Sequence, residues 1–207
     1  TPVLGPYSMD QLAGDLAELL DTLNVEQPIV LCGLSMGGYI SFAFYRRFPG
    51  RVAGLILAAT RAKHDTPEGK ASRDKTAEKA RKEGVRSVAD SMIEKLFAPQ
   101  TLRQNPDLVE QVRTMMSGTS EEGMIGALMA MKERPDSTPT LEEIQPPTLI
   151  IHGRDDQIVP LEEAEAMQST MRDAELVVVP DAGHLVNMEQ PEAFNHAVRR
   201  YLEQFRV

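Results

Sequence analysis

Apolar positions along the chain fall into helical and strand-like spacings that alternate. Leucines recur every three to four residues after Ser8, and this period predicts a helix that ends near Asn24. Ser8 and Gln11 at its start resemble a capping box. The apolar run 29–32 then predicts a strand, and a helical stripe after it ends at Pro49. The first predicted elements are therefore a helix, a strand and a second helix.

Strand and helix patterns continue along the rest of the chain. The near-continuous apolar run 52–59 is typical of a strand that is buried on both faces. Further strands are predicted at 148–152 and 176–179, and further helices at 161–171 and after Pro191. Strands that alternate with helices favour a parallel sheet. The sequence therefore predicts an α/β fold, with a mostly parallel sheet flanked by helices.

The middle of the chain has a different pattern, with helical stripes, more charge and no convincing strand. Residues 61–86 hold nine Lys or Arg and five Asp or Glu, which is typical of a solvated helix surface rather than a binding patch. Amphipathic stripes predict helices that end near Pro99 and at Gly118, and a third begins at Ser120. We therefore divide the chain into 1–60, 61–141 and 142–207, of which the middle part is a helical insertion into one core.

Composition and charge narrow the class of protein. With 207 residues and 42% hydrophobic content, the chain can bury one sizeable core. The net charge of −9 disfavours nucleic acids and anionic membranes as partners, because both bind basic surfaces. No apolar run approaches the roughly 20 residues of a membrane span, and Thr1-Pro2-Val3 shows no secretion signal. Cys32 has no second cysteine to pair with, and its apolar strand predicts an inert core thiol. We expect a soluble, cytoplasmic protein.

The segment 33–38, with the sequence Gly-Leu-Ser-Met-Gly-Gly, lies between a predicted strand and a predicted helix. This is the pattern of a nucleophile elbow, in which small residues flank a serine on a strained strand-to-helix turn. Ser35 is therefore the predicted nucleophile. The backbone N–H of Met36, at the start of the helix, is the predicted donor to a developing oxyanion.

A serine hydroxyl needs a histidine base and a carboxylate that orients the histidine. Asp156 follows the strand at 148–152, and His184 follows the next strand. Since loops at the carboxyl ends of parallel strands line the ligand crevice, these two side chains and Ser35 can converge there. Asp155 is the competing acid. A proline four places after Asp156 favours Asp156, and Asp155 is assigned to the turn or to solvent.

The other histidines and the methionines have simpler interpretations. His152 is assigned a structural hydrogen bond, with pocket lining as the alternative, while His64 and His196 are interpreted as surface or packing residues. Methionines at helical spacing are typical of packing, but some of them can form an adaptable apolar pocket. The candidate pocket comprises Leu34, Met115, Met116, Met124, Met129, Val159 and Leu185. No His, Cys or carboxylate cluster has metal-ligand spacing, so neither a metal nor a cofactor is predicted.

Three blocks of the sequence, GLSMGG, HGRDDQIVP and AGHLVNMEQPEAF, together resemble the catalytic blocks of the α/β-hydrolase superfamily. The resemblance covers essentially the whole chain. It implies that Ser35, Asp156 and His184 form a catalytic triad and that 61–141 corresponds to the family's cap domain. Within the superfamily the chain is similar to bacterial carboxylesterases, enol-lactonases of the 3-oxoadipate type, acyl-homoserine lactonases and cofactor-free perhydrolases.

The resemblance also implies a segment that this sequence does not contain. Family members usually have several strands and an oxyanion loop of His-Gly type before the helix that begins here near Ser8. The second oxyanion donor is expected on that segment, and loss of one donor typically costs about 2.7 to 4 kcal/mol of transition-state stabilisation. We therefore expect that the chain is a fragment. An exposed sheet edge would then favour self-association or pairing with the missing N-terminal segment.

These features predict a serine hydrolase that cleaves a small-molecule ester or lactone through an acyl-enzyme intermediate. Perhydrolase chemistry and ligand binding without turnover are the alternatives, because the same fold serves all three. Turnover of aryl esters that depends on Ser35 separates the hydrolase from the binding protein.

Overall fold

The computed structural model describes residues 7–205, and this part of the chain contains one parallel sheet. Within these residues its four strands are β1 (Ile29–Leu34), β2 (Val52–Ala58), β3 (Thr148–Gly153) and β4 (Ala174–Val179). They lie side by side in chain order, and each neighbouring pair is parallel. Parallel strands place all their carboxyl ends at one edge of the sheet. The predicted α/β fold with a parallel sheet is confirmed.

Helices connect and cover these strands. Between residues 7 and 205 they are α1 (Met9–Thr22), α2 (Met36–Arg47), α3 (Pro67–Glu83), α4 (Val85–Leu96), α5 (Pro99–Gln104), α6 (Pro106–Ser117), α7 (Glu121–Glu133), α8 (Thr138–Glu143), α9 (Leu161–Thr170), α10 (Val186–Glu189) and α11 (Pro191–Leu202). Helices α3 to α8 lie between β2 and β3 and are called the helical segment below. In the described part of the chain, no helix combines the length and the apolar character that crossing a bilayer requires.

Side-chain caps fix where several helices begin. The hydroxyl of Ser8 accepts a hydrogen bond from the backbone N–H of Gln11 at 3.0 Å, so the predicted cap of α1 is present. Thr66 caps α3 and Ser120 caps α7 in the same way. Gly84 separates α3 from α4. Its φ of 82° lies in the left-handed region, which glycine adopts without strain.

The two central strands are buried on both faces, as their continuous apolar runs predict. Successive side chains point to opposite faces of the sheet and enter two separate clusters. On one face Leu55 and Ile150 pack with residues of α1, α2 and α9. On the other face Ile56 and Leu149 pack with residues of α11.

Cys32 departs from this buried pattern. The sequence predicts a core thiol, but Cys32 is exposed on β1, so that prediction is wrong. Within residues 7–205 β1 pairs with β2 alone and forms one edge of the sheet. Helix α11, which covers the same face, packs mainly against β3 and β4. A side chain on this edge strand therefore reaches solvent, although the strand itself is apolar.

A third apolar cluster joins the helical segment to the loops at the carboxyl edge of the sheet. Phe97 is fully buried in this cluster, together with Ile93 and Val112. Ile158 from the loop after β3 and Leu185 from the loop after β4 pack against it. The helical segment therefore lies directly against the strand ends.

A buried carboxylate also ties the helical segment to the loop after β2. Asp65 is 1% exposed and accepts hydrogen bonds from Arg61 at 2.6 Å, Arg73 at 3.1 Å and Arg134 at 3.0 Å. Burial acts to raise the pKa of Asp65, but the hydrogen bonds and charges of Arg134 and Arg73 outweigh burial and lower the pKa to about 2. The fold therefore binds the ionised carboxylate more tightly than the protonated acid.

Acid is expected to weaken the fold through Asp65. Its pKa of about 2 in the fold lies below the ordinary value of 3.8, so the ionised group stabilises the folded state above that ordinary value. This stabilisation, about 2 kcal/mol, is lost as the pH falls through the lower pKa. Urea unfolding of the wild type and of Asp65→Asn across this acid range measures the effect. We expect the free energy of unfolding of the wild type to exceed that of Asp65→Asn by a large amount at neutral pH, and this difference to shrink in acid.

Asp74→Asn is the matched control for this measurement. Asp74 lies on α3 and pairs with Lys132 at 2.8 Å, but its side chain is half exposed. Exposed ion pairs contribute little, so the free energy of unfolding should stay within about 1 kcal/mol of the wild-type value. The stabilising role of ionised Asp65 is refuted if Asp65→Asn and the wild type lose stability in parallel over the acid range.

Candidate active site

Ser35 lies on the turn between β1 and α2, where the backbone is strained. Its φ of 52° and ψ of −111° are uncommon for a residue with a side chain, and such conformations cost of order 1–3 kcal/mol. Surrounding hydrogen bonds hold this geometry. The N–H of Ser35 donates to Ala58 O at 2.8 Å, and Thr60 Oγ1 donates to Ser35 O at 2.8 Å. Ser35 is thereby fixed at the carboxyl edge of the sheet, where it lines a cavity.

Two glycines allow the close packing of this turn. A Cβ atom on Gly33 would lie 2.3 Å from Gly37 O, and a Cβ atom on Gly38 would lie 2.4 Å from Thr60 Oγ1. A side chain at either position would therefore push the start of α2 away from the strands. Gly37 differs, because a Cβ atom there would meet open space. Packing therefore requires a small residue at Gly33 and Gly38 but not at Gly37.

Asp156 lies on the loop after β3, and its carboxylate is fully buried. One oxygen, Oδ1, accepts hydrogen bonds from Ile158 N at 2.8 Å and Val159 N at 3.0 Å. The other oxygen, Oδ2, lies 2.8 Å from His184 Nδ1. Burial acts to raise the pKa of Asp156, but the hydrogen bond and charge of His184 and the two backbone N–H groups outweigh it and lower the pKa. The loop is therefore built around an ionised carboxylate.

His184 lies on the loop after β4 and is almost fully buried. Because its partner is an ionised carboxylate, Nδ1 carries the hydrogen and donates it to Asp156, which leaves Nε2 as the basic nitrogen. Ser35 and His184 line the same cavity. Among residues 7–205, the hydroxyl of Ser35 makes no direct hydrogen bond to the His184 ring.

Glu189 on α10 holds the histidine loop in place. Its carboxylate accepts hydrogen bonds from Gly183 N at 2.8 Å, Ala98 N at 2.7 Å and Thr101 Oγ1 at 2.7 Å. The N–H of His184 also donates to Leu96 O at 3.0 Å. These contacts anchor the loop to the start of α5 and the end of α4. Glu189 was not among the predicted site residues, although it stands five residues after the histidine.

His152 is fully buried at the end of β3 and does not line the cavity. Its Nε2 lies 2.9 Å from the carbonyl oxygen of Val159, so this nitrogen carries the hydrogen and donates it. The same nitrogen is 3.6 Å from Asp156 Oδ2. His152 Nδ1 is buried and has no hydrogen-bond partner within residues 7–205. The structural hydrogen bond predicted from the sequence is therefore present.

The cavity at this edge has a volume of about 530 Å³ and lies between the strand ends and the helical segment. Four candidate pocket residues line it, namely Leu34, Met116, Met124 and Val159, and Met36 and Met131 do so as well. Three candidates do not. Met115 is 61% exposed on α6, Met129 lines a surface depression beside α3, and Leu185 packs in the cluster around Phe97.

Two arginines of the cavity wall were missed. Arg61 and Arg73 both line the cavity, whereas the charge pattern of 61–86 predicts a solvated helix surface. Arg61 could have been found from its position, because it follows β2 at the carboxyl edge of the sheet in the same way that Asp156 follows β3. Arg73 lies on α3, and only the packing of that helix brings it to the cavity.

The remaining assignments concern surface residues and metals. Asp155 is exposed beside the buried Asp156, and His64 and His196 are exposed too. Met36 occupies the first turn of α2, where backbone N–H groups have no partner inside the helix. Residues 7–205 contain no group of three or more His, Cys, Asp or Glu side chains that could hold a metal ion.

Comparison with known proteins places this chain in a family. Residues 1–191 match the alpha/beta hydrolase fold family. The chain is 33% identical over 205 residues to a 3-oxoadipate enol-lactonase of Acinetobacter baylyi, and the match covers 99% of this chain and 74% of that protein.

Solved structures agree with the sequence match. A thermophilic esterase from Thermogutta terrifontis, solved with malate bound, superposes with a TM-score of 0.95 at 45% identity, over 99% of this chain and 75% of that one. An enol-lactonase from Burkholderia xenovorans superposes with a TM-score of 0.89 at 30% identity, over 98% of this chain and 75% of that one. The chain therefore belongs to the α/β-hydrolase fold family and is similar to enol-lactonases and esterases within it.

Proposed function

We propose that the protein is a serine hydrolase that cleaves a carboxylic ester or lactone through an acyl-enzyme intermediate. The observation that carries this proposal is the 2.8 Å hydrogen bond from His184 Nδ1 to ionised Asp156, beside a cavity that Ser35 also lines. The names of the relatives, a lactonase and an esterase, support the same class of substrate.

Acylation begins when Ser35 Oγ attacks the carbonyl carbon of the substrate. His184 Nε2 takes the hydroxyl proton as the new C–O bond forms, and Asp156 stabilises the imidazolium that results. The carbonyl oxygen becomes an oxyanion, and the N–H of Met36 at the start of α2 donates to it. When the tetrahedral intermediate collapses, the bond to the leaving oxygen breaks and His184 returns the proton to it. An ester releases its alcohol, whereas a lactone opens and keeps the new hydroxyl on the acyl group.

Deacylation repeats these steps with water as the nucleophile. His184 Nε2 removes a proton from water, which attacks the acyl carbon on Ser35. The C–O bond to Ser35 then breaks, and its oxygen recovers the proton from His184. The free carboxylic acid leaves, and Asp156 stays ionised throughout. Water, the three side chains and the N–H of Met36 account for both steps.

Labelling with an alkyl fluorophosphonate tests the activated serine directly. The serine oxygen displaces fluoride from phosphorus, and the hydroxyl proton passes to the histidine. We expect the intact mass to rise by one phosphonyl group, the label to lie on the peptide that contains Ser35, and aryl-ester hydrolysis to fall in step with labelling. Acid-denatured protein, in which the site is dismantled, is the control and should remain unlabelled. Full esterase activity after complete labelling, or a label on another serine, would contradict the proposal.

A further inference from the structure

Two guanidinium groups stand in the wall of an otherwise mostly apolar cavity. Arg61 comes from the loop after β2 and Arg73 from α3, and each is about one quarter exposed. Among the described residues no Asp or Glu lines this cavity, while the side chains around it include Val88, Leu96, Met116, Met124, Leu128 and Ile158. A charged side chain in such surroundings needs a partner, because burial of an unpaired charge is costly.

Asp65 does not neutralise the positive charges of these two arginines fully, because it also pairs with a third arginine. Arg134 is 4% exposed, and its Nη2 donates to Asp65 Oδ1 at 3.0 Å and to Lys63 O at 2.9 Å. The Arg134 guanidinium also lies over the ring of Tyr39, 4.1 Å from its centroid. This inner pair already balances one positive charge with one negative charge. Arg61 and Arg73 therefore bring two further positive charges to the same carboxylate.

Both arginines have hydrogen-bond donors that do not bond to Asp65. Arg61 reaches Asp65 through Nη2, so this bond leaves Nη1 for another acceptor, whereas its Nε is buried. Arg73 reaches Asp65 through Nε, so its bond leaves the terminal nitrogens of the guanidinium for another acceptor. An anionic ligand in the cavity can accept hydrogen bonds from these terminal nitrogens. The chain as a whole carries a net charge of −9, so attraction of an anion has to be local to this wall.

We propose that the cavity takes substrates that carry a free carboxylate besides the ester or lactone group, and that Arg61 and Arg73 bind that carboxylate. This inference rests on the proposed hydrolase function. Guanidinium groups match carboxylates in geometry and charge, and the apolar remainder of the wall suits the hydrocarbon chain between the two ends of the substrate. The substrate class is therefore a half-ester of a dicarboxylic acid, an ester with an acidic alcohol part, or a lactone acid.

The test compares pairs of substrates that differ in one charge. 4-Nitrophenyl hydrogen adipate and 4-nitrophenyl hexanoate share a leaving group and chain length, and only the first carries a carboxylate on its acyl part. 4-Acetoxybenzoate and 4-methylphenyl acetate form the second pair, with the carboxylate on the alcohol part. For each pair the ratio of kcat/KM, charged over neutral substrate, is measured in the wild type, Arg61→Gln and Arg73→Gln. Each variant leaves two arginines on Asp65, which preserves the buried ion pair with Arg134.

We expect the ratio to fall about 10- to 100-fold in both variants for one of the two pairs, which also shows which end of the substrate carries the acid. Arg113→Gln is the matched control. Arg113 lies on α6, is 26% exposed and pairs with Asp90 and Glu110 away from the cavity, so its replacement should leave both ratios unchanged. Ratios unchanged in Arg61→Gln and Arg73→Gln for both substrate pairs would overturn the proposal.

A binding measurement separates this inference from the proposed catalysis. Calorimetric titration of the Ser35→Ala protein with methyl hydrogen adipate measures affinity without turnover. Adding Arg73→Gln to this protein should raise the dissociation constant at least tenfold. Methyl hexanoate is the uncharged control. If the wild type hydrolyses none of the esters yet this difference appears, the carboxylate site stands and the hydrolase function fails. If hydrolysis depends on Ser35 but neither affinity nor rate responds to the arginines, the carboxylate site is wrong and the hydrolase function stands.

Discussion

Replacing Ser35 by alanine is expected to lower kcat for aryl-ester hydrolysis by about a million-fold. Alanine keeps the backbone of the turn but removes the hydroxyl oxygen that forms the acyl-enzyme in the proposed mechanism. His184 and Asp156 then have no nucleophile to activate, because the three groups act as a unit rather than additively. Steady-state kinetics with 4-nitrophenyl acetate at neutral pH measures the loss.

Ser169→Ala is the control for this experiment, because Ser169 is an exposed serine on α9 outside the cavity. Its kcat should match that of the wild type. Thermal unfolding of both variants verifies that the fold is intact. A Ser35→Ala protein that retains kcat within about tenfold of the wild-type value would show that another group carries the reaction, since a lost nucleophile costs far more.

The candidate site could be anticipated because strand ends are marked in the sequence. Ser35, Asp156 and His184 each follow an apolar run by a few residues, and parallel strands bring such positions to one edge of a sheet. The structure places Asp156 and His184 in hydrogen-bond contact and Ser35 on the wall of the same cavity. A local pattern and one rule of sheet topology were sufficient for this part.

The cavity wall was harder to predict, because the spacing of apolar residues in a helix does not show which part of the fold each face of the helix will contact. Met115 and Met116 are adjacent in α6 but lie about 100° apart around its axis. Met116 lines the cavity while Met115 reaches solvent. On α7, Met124 faces the cavity and Met129 faces a depression beside α3. Packing of the whole helical segment decides these orientations.

The charge pattern of the sequence was the poorest predictor of the site. The run 61–86 has the composition of a solvated surface, and most of its charged side chains are exposed. Asp65 is the exception, because the fold buries it and surrounds it with three arginines. One of these, Arg134, comes from a distant part of the chain. Such a cluster is a tertiary property that no local window of sequence contains.

Replacing Asp156 by asparagine is expected to lower kcat by about 10⁴-fold. Asparagine keeps an oxygen that can accept from the N–H groups of Ile158 and Val159, so the loop after β3 retains its shape. Its amide group, however, donates to His184 Nδ1 instead of accepting from it. The imidazole then carries its hydrogen on Nε2 and cannot take a proton from Ser35. The same steady-state assay, together with thermal unfolding, measures this loss in a folded protein.

Asp155→Asn supplies the decisive comparison for that result. Asp155 stands next to Asp156 in the chain, and asparagine changes both residues in the same way. Asp155 is exposed, however, and the carboxylate that bonds to the His184 ring is that of Asp156. Its kcat should remain within about twofold of the wild type, because surface substitutions away from a site have small effects. A reversed outcome, with Asp155→Asn inactive and Asp156→Asn active, would assign the acid to the exposed residue. Equal activity in both variants would remove the carboxylate from the mechanism and leave His184 to act alone.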